Sequence, residues 1–256
     1  MNRDTLILVG EPDVHLAVEL LKAGQCVALP TETVYGLAAD ASNETAVSSI
    51  FAAKGRPANH PLIVHLAAVD QVKNWAIEVP DTVAHLAEAF WPGPLTLLLR
   101  KGRQVSAVVT GGHQTIALRV PEHPLFLKIL GDSGLGLAAP SANRYKKLSP
   151  TRAEQVLKTL NGRISAVLDG GPCEFGLEST ILDLTSTTPT IVRSGPVGRT
   201  QLEAVLGCKV TMPVEHKAAV PGNVEAHYQP NARLQLAGLD QLKGMKSDDV
   251  GIVIYS

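Results

Sequence analysis

Two cations lie two residues apart with no acidic residue beside them in the chain. Lys54 and Arg56 occur in the stretch FAAKGRPANHPLIVHL. Asn43 is a suitable N-cap for a helix whose apolar stripe Lys54 continues, which is an unusual place for a lysine. Either cation alone could reach water or complement the C-terminal dipole of that helix. The two together favour an anion-binding site.

A second group of polar residues follows a predicted strand. Ser141 and Asn143 come directly after the apolar run GLAAP, at the strand end where open α/β sheets usually hold ligands. Turn chemistry alone would explain either residue, because Ser and Asn are common in loops. Ser149 precedes a helix predicted over 151–160, whose first N–H groups could face a phosphate.

Further polar residues interrupt apolar surroundings. Thr31, Thr33 and Tyr35 alternate in PTETVYGL, which predicts a small polar pocket on one face. His65 interrupts LIVHL, where a lone histidine is more often a core residue with its own hydrogen bonds. Arg119 interrupts TIALRV, and a buried guanidinium needs an anionic partner such as a carboxylate.

Common nucleotide and hydrolase motifs are missing from the chain. Ser179 in LEST and Arg193 in IVRSG add donors at strand ends. The sequence contains no GxxxxGK[ST], GxGxxG, GxSxG or HExxH pattern. The residues alone therefore indicate an anion-binding α/β enzyme that uses none of these motifs.

The elements that must position these residues alternate between short apolar runs and helical patterns. Strands are predicted at 26–30, 62–66, 95–99, 115–120, 136–140, 166–170, 179–184 and 190–194, and helices near 13–23, 44–54, 80–90, 151–160 and 199–206. Because two strand-like runs follow each other directly near residue 185, part of the sheet is predicted to be antiparallel.

Composition excludes several classes of protein. The 256 residues are 45% hydrophobic, enough for a substantial core, and 23 basic against 24 acidic residues give a net charge of -1, without the basic field of a dedicated nucleic-acid binder. Cys26, Cys173 and Cys208 form no disulfide or zinc pattern. No apolar run approaches the roughly 18 residues of a membrane span, so we expect a soluble, cytoplasmic protein.

Many blocks of the chain, taken in order, resemble the Sua5/YrdC/YciO family of threonylcarbamoyl-AMP synthases. They are PTETVYGL, AAKGRPANHPLIVH, WPGPLTLLL, TIALRVP, APSAN, SPT, LEST and IVRSGP. The resemblance covers roughly residues 10–206. It implies a YrdC-like open, twisted, mixed parallel and antiparallel sheet flanked by helices. It also implies that L-threonine, bicarbonate or CO2, and ATP give threonylcarbamoyl-adenylate and pyrophosphate, for N6-threonylcarbamoyladenosine at tRNA position 37.

The resemblance also implies roles for individual residues. Lys54 and Arg56 would stabilise charge on the phosphates during catalysis, and Arg119 would pair with the threonine carboxylate. The implied ATP contacts are Lys54, Arg56, Thr115, Ser141, Asn143, Ser149, Arg193 and Tyr228. The implied L-threonine contacts are Thr33, Tyr35, His65, Arg119 and Ser179. Mg2+ would accompany ATP, with no metal site built from protein residues alone.

Three segments are predicted along the chain. Residues 1–207 form the YrdC-like catalytic domain, 208–234 a linker that folds over the active site, and 235–256 the start of a truncated Sua5-type C-terminal domain. Two departures from the family pattern are His60, where asparagine is common, and RYKKL after SAN. We expect both departures to change the affinity for substrates rather than the type of reaction.

Two other classes remain open from the sequence. One is an RNA-binding module, for which the near-neutral charge predicts only weak tRNA binding. The other is a carbamoyl-adenylate enzyme like the related domain of hydrogenase-maturation carbamoyltransferases, which would use carbamoyl phosphate. Under the synthase interpretation the unstable product passes to a tRNA threonylcarbamoyltransferase complex, and no membrane is involved.

Overall fold

Eleven strands and seven α-helices make up the part of the chain that the computed structural model describes, residues 4–213 and Val220. The strands are β1 Leu6–Val9, β2 Val27–Leu29, β3 Gly36–Asp40, β4 Ile63–His65, β5 Ala76–Ile77, β6 Leu95–Lys101, β7 Thr115–Arg119, β8 Leu137–Ala138, β9 Ala166–Asp169, β10 Thr180–Asp183 and β11 Thr190–Arg193. The helices are α1 Val14–Lys22, α2 Glu44–Lys54, α3 Thr82–Phe90, α4 Ala107–Thr110, α5 Pro124–Ser133, α6 Ala153–Leu160 and α7 Arg199–Leu206, with 3-10 helices at Glu11–Asp13 and Val69–Asn74.

The strands form one mixed sheet in the order β1-β9-β2-β3-β8-β4-β7-β6-β10-β11, with β5 pairing β6. Strand β9 is parallel to β1 and β2, β4 is parallel to β7, and β6 is parallel to β10. The other pairings are antiparallel. The predicted mixed α/β sheet flanked by helices is therefore confirmed.

The described helices cover the two faces of the sheet unequally. Apolar residues of α2, α3, α6 and α7 pack on one face against alternate residues of the central strands. Helices α1 and α5 pack on the other face, over β1, β2, β3 and β9. Beside α5 that face continues as a smaller apolar cluster of Ile63, Leu98, Ala117, Ile181, Val192 and Val220. The site predicted from sequence lies along this boundary.

All eight predicted strands and all five predicted helices are present. Asn43 caps α2 as predicted, accepting hydrogen bonds from two backbone amides at 3.1 Å. Gly55 ends the helix with φ 63°, a conformation that favours glycine. One predicted start is corrected: α6 begins at Ala153 rather than residue 151, since the amide of Thr151 donates to the Gln155 side chain.

Three strands and two helices were not predicted: β1, β3, β5, α4 and α5. None of the described helices is both long and apolar enough to span a membrane. The predicted C-terminal domain and most of the predicted linker lie outside the described residues. The three-segment division stays a prediction.

Candidate functional site

An open cleft lies on the sheet face beside α5, where helical cover ends. It encloses about 500 Å³ of space counted out to its mouth. His65 and Arg119 are neighbours in the parallel β4–β7 ladder, so their side chains stand next to each other on this face. The lining residues are Thr31, Thr33, Val34, Gly36, Arg56, Ile63, His65, Arg119, Ala139, Pro140, Ser141, Glu178 and Arg193.

Arg119 is held from several sides within the buried part of the cleft. Its Nη2 donates to Glu32 Oε1 at 2.5 Å and to Thr33 Oγ at 3.1 Å. Its Nε donates to the backbone oxygen of Gly93 at 3.1 Å. The carboxylate that a buried arginine requires is thus supplied by the chain itself, through Glu32.

His65 is a buried, neutral histidine that lines the cleft. Its ring stacks on Phe126 of α5, with centroids 5.2 Å apart. Burial, together with the charge of Arg119, lowers the pKa of His65 to about 3. Within the described chain its Nδ1 is buried without a hydrogen-bond partner, which leaves a ring nitrogen for a ligand.

The predicted alternating face of Thr31, Thr33 and Tyr35 is only partly correct. Residues 32–34 form a bend. The Thr31 hydroxyl bonds the Thr33 hydroxyl at 2.8 Å and the backbone oxygen of Val34 at 2.7 Å. The two threonines line the cleft. The Tyr35 hydroxyl instead donates to the oxygen of Gly171 at 2.7 Å, because the bend directs the fully buried ring elsewhere. Its predicted contact with threonine stays a prediction.

Lys54 lies beneath the cleft rather than in it. The side chain is buried, with the residue 2% exposed, and its Nζ donates to the backbone oxygens of Ser141 and Asn143. Burial and the charge of Arg56 lower the pKa of Lys54 to about 7, while Glu178 acts in the opposite direction. The cations have no acidic neighbour in sequence, but the fold brings Glu178 close. Lys54 therefore fixes the loop that carries Ser141.

The same loop is held by the side chain of Asn143. Its Nδ2 donates to the oxygens of Arg144 and Lys147 at 2.8 and 2.7 Å. Its Oδ1 is buried with no partner among the described residues. Ser141 faces the cleft and pairs with Gly36 through an isolated bridge. Asn143 shapes the loop, and Ser141 is its cleft-lining member.

Arg193 lies across the cleft from this loop and is also anchored by the backbone. Its Nε donates to the oxygen of Ser179 at 2.9 Å and its Nη2 to Ser179 Oγ at 2.8 Å. Glu178 Oε2 is 4.0 Å from Arg193 Nη1, and Glu178 Oε1 accepts from Ser149 Oγ at 2.7 Å. Gly195 makes this packing possible, because a Cβ at residue 195 would lie only 2.4 Å from the backbone oxygen of Glu178.

The structure thus brings together only part of the predicted set. Six predicted residues line the cleft: Thr33, Arg56, His65, Arg119, Ser141 and Arg193. The other described members do not line it: Tyr35, Lys54, Thr115, Asn143, Ser149 and Ser179. Ser149 and Ser179 are bonded to lining residues. Tyr228 lies outside the described residues.

Two functional candidates were missed, Glu32 and Glu178. Each is an acid within a block that otherwise supplied predicted ligands, PTETVYGL and LEST. One indication of them was present in the sequence: cations with no acidic neighbour in the chain need acidic partners from elsewhere in the fold. In the described chain no group of three or more His, Cys, Asp or Glu residues is arranged to hold a metal ion.

The arrangement can bind two kinds of charged group. Arg56, Arg119 and Arg193 all line the cleft, and each donates a hydrogen bond to a backbone oxygen that holds its side chain. Such fixed donors stabilise anions and developing negative charge without reorganising. Among the described residues lining the cleft there is no cysteine or lysine nucleophile.

Comparisons with known proteins agree with this geometry. The Sua5/YciO/YrdC family model, described as telomere recombination, matches residues 19–195. A threonylcarbamoyl-AMP synthase of Bacillus subtilis is 44% identical over 89% of this chain and 67% of its own length. That of Pyrococcus abyssi is 42% identical over 88% of this chain and 68% of its own. The crystal structure of P. abyssi Sua5 complexed with L-threonine matches with a TM-score of 0.84 and 41% identity, over 89% of this chain and 69% of that one.

The chain spans about two thirds of the length of these relatives. The matched region contains every described residue of the cleft. With the family model covering more than half of the chain and relatives above 40% identity, the chain belongs to the Sua5/YciO/YrdC family.

Proposed function

We propose that this chain is a threonylcarbamoyl-AMP synthase. The observation that carries the proposal is that Arg119 and His65 line one cleft together with Arg56, Ser141 and Arg193, in a chain whose relatives bear that name. L-Threonine and bicarbonate or CO2 give an N-carboxylated threonine. The carboxylate oxygen attacks the α-phosphorus of ATP, and pyrophosphate leaves with the electron pair of the broken P–O bond.

Each side of the cleft would meet a different part of the reactants. Arg119 would bind the amino-acid carboxylate, and the neutral His65 would accept a hydrogen bond from the threonine amine or hydroxyl. Arg56, Ser141 and Arg193 would bind the phosphates. Adenylyl transfer of this kind needs positioning and charge stabilisation rather than a side-chain nucleophile.

Lys54 supports this reaction from below the cleft. Its bonds to the backbone of Ser141 and Asn143 set the loop that faces the phosphates. The other predicted contacts also remain proposals. With ATP they are Lys54, Thr115, Asn143, Ser149 and Tyr228, and with L-threonine Thr33, Tyr35 and Ser179.

Mg2+ would enter with the ATP phosphates. Glu178 is the acidic side chain among the described residues that line the cleft. One carboxylate suits Mg2+, which commonly keeps phosphate and water oxygens for its other ligands. The ion would neutralise phosphate charge when bound.

The wider setting follows from this chemistry. The product is a labile mixed anhydride, so we propose direct transfer to a tRNA threonylcarbamoyltransferase complex, in the cytoplasm where ATP and tRNA are available. Weak tRNA binding by the chain itself is a further proposal, and a steep salt dependence of binding would support it.

Pyrophosphate release tests the proposal. Purified chain is incubated with ATP, Mg2+ and bicarbonate, and with L-threonine, L-serine, L-valine or no amino acid. We expect release that depends on threonine and on bicarbonate. Release that ignores threonine would favour the carbamoyl alternative, and carbamoyl phosphate is then supplied as the direct comparison.

A further inference from the structure

Arg119 has one nitrogen left for a ligand. Nη2 and Nε make all three of its hydrogen bonds to Glu32, Thr33 and Gly93. Nη1 donates no hydrogen bond to any described residue, and Arg119 lines the cleft. A carboxylate in the cleft therefore meets a guanidinium whose orientation is already fixed.

Glu32 is itself fixed by the backbone around it. The residue is 5% exposed, and its Oε2 accepts from the amide of Glu122 at 3.2 Å while Oε1 accepts from Arg119. Its backbone oxygen accepts from the amide of Phe175 at 2.9 Å. Hydrogen bonds from two separate chain segments, at Glu122 and at Phe175, therefore fix the position of Glu32.

We propose that Glu32 is a positioning residue that directs Nη1 of Arg119 at the carboxylate of the amino-acid substrate. This inference rests on the proposed function. The hydrogen bond between Glu32 and Arg119 sets the orientation of the guanidinium. Arg119 then recognises the substrate carboxylate by the direction of its Nη1 donor, because Glu32 already balances the charge of Arg119.

The charge balance of the site supports this role. Arg119 and Glu32 already neutralise each other in a dry environment, so the incoming carboxylate is not required to compensate a buried cation. A guanidinium is planar and recognises carboxylates by geometry, so a small rotation moves its donors away from the acceptor. Whatever turns Arg119 should therefore weaken threonine binding in particular.

Two substitutions separate geometry from charge. Glu32→Gln keeps the side-chain length and an oxygen that accepts from Arg119, but removes the charge and replaces the oxygen that accepts from the Glu122 amide with an NH2 group. Glu32→Asp keeps the charge but withdraws the carboxylate by one methylene. Glu122→Gln is the matched control, because it removes an exposed carboxylate next to the site and leaves the backbone amide that bonds Glu32.

The variants are compared by pyrophosphate release and by calorimetric titration with L-threonine and L-threoninamide. We expect E32D to raise KM and Kd for threonine about tenfold, with KM for ATP unchanged. E32Q keeps the hydrogen bond to Arg119 and loses the one from the Glu122 amide, so it should raise both constants less than E32D does, while E122Q should stay within about threefold of wild type. The preference for threonine over threoninamide should shrink in E32D, and melting curves check that each variant folds.

Several results would overturn the inference. If E32D behaves as wild type and E32Q loses binding, charge balance is the role of Glu32. If both bind threonine as wild type does, Glu32 has no role in orienting the substrate. If wild type binds threonine without releasing pyrophosphate, the proposed function fails while the titrations still decide on Glu32. If wild type does not bind threonine, both proposals fail.

Discussion

At the scale of single residues, the cleft pairs its cations with carboxylates that the chain itself supplies. Buried Glu32 forms an ion pair with Arg119. Glu178 accepts a hydrogen bond from Ser149, forms an ion pair with Arg193, and is close enough to raise the pKa of Lys54. The two acids differ in consequence. Glu32 is buried and fixed, whereas Glu178 lies at the cleft surface, where phosphate oxygens would need the same donors.

Glu178 should therefore compete with phosphate when no metal is present. Arg193 is anchored independently by Ser179, so Glu178→Gln should leave its position intact. We expect E178Q to bind ATP about threefold to tenfold more tightly in EDTA, because a competing anion is removed. Calorimetric titration measures this, with the exposed Glu174→Gln as control. Weaker binding by E178Q in EDTA would mean that Glu178 holds the site together.

Lys54 gives a prediction about pH and stability. With its pKa near 7 in the folded protein and about 10.4 when unfolded, the unfolded chain binds the extra proton between these values. The free energy of unfolding should then rise with pH across this window. Below pH 7 both states are charged, and the full cost of burying the cation is present.

Chemical denaturation of wild type and Lys54→Met at pH 6.5 and 8.5 tests this. The free energy of unfolding of wild type should rise by at most about 2 kcal/mol relative to that of K54M between these two pH values. Each pH unit above the folded-state pKa contributes about 1.4 kcal/mol. Lys158→Met, at an exposed lysine of α6, should show no such gain. A difference between wild type and K54M that is constant with pH would contradict the lowered pKa.

At the scale of elements, the site depends on a helix end and a loop that bond each other. The backbone oxygen of Lys54 accepts from the amide of Tyr145 at 2.9 Å, while its Nζ bonds the oxygens of Ser141 and Asn143. The end of α2 and the loop after β8 therefore form one unit. In the described chain this contact explains a lysine on the buried face of α2, and the predicted contact of Lys54 with ATP stays a prediction.

Sequence reasoning found the elements whose patterns are local. Strands such as β6 and β7 contain short apolar runs, and α2 has a cap, an apolar stripe and a terminal glycine. Strand β3 was missed because GLAAD contains three small residues and no β-branched or aromatic side chain. Helix α5 was missed, although His123 and Pro124 form a recognisable start.

The site was predictable to the extent that polar residues stood alone in apolar runs. His65, Arg119 and Ser141 could be identified in this way, and they line the cleft. The partner of Arg119 could not, because Glu32 is 87 residues away and its contact depends on sheet order. Nor could the inward direction of Lys54 be read from spacing, since spacing gives the face of a helix but not its neighbour.

At the scale of the whole molecule, the cleft lies where one sheet face passes from helical cover to a small apolar cluster. Val220 belongs to that cluster and is 5% exposed against Ile63, Leu98 and Ala117. Ala117 lies between Thr115 and Arg119 on β7, so the cluster separates predicted nucleotide and threonine contacts. Val220 thereby packs against the sheet face that carries the site.

A charge at Val220 should break this connection. Burying an aspartate without a partner is costly, so Val220→Asp should leave the cluster and expose the apolar floor. We expect slower pyrophosphate release than in wild type, read by the turnover assay. Met212→Asp places the same charge at a residue that is 53% exposed, and should not change turnover. Equal turnover in V220D and wild type would show that the contact of Val220 with the sheet does not organise the site.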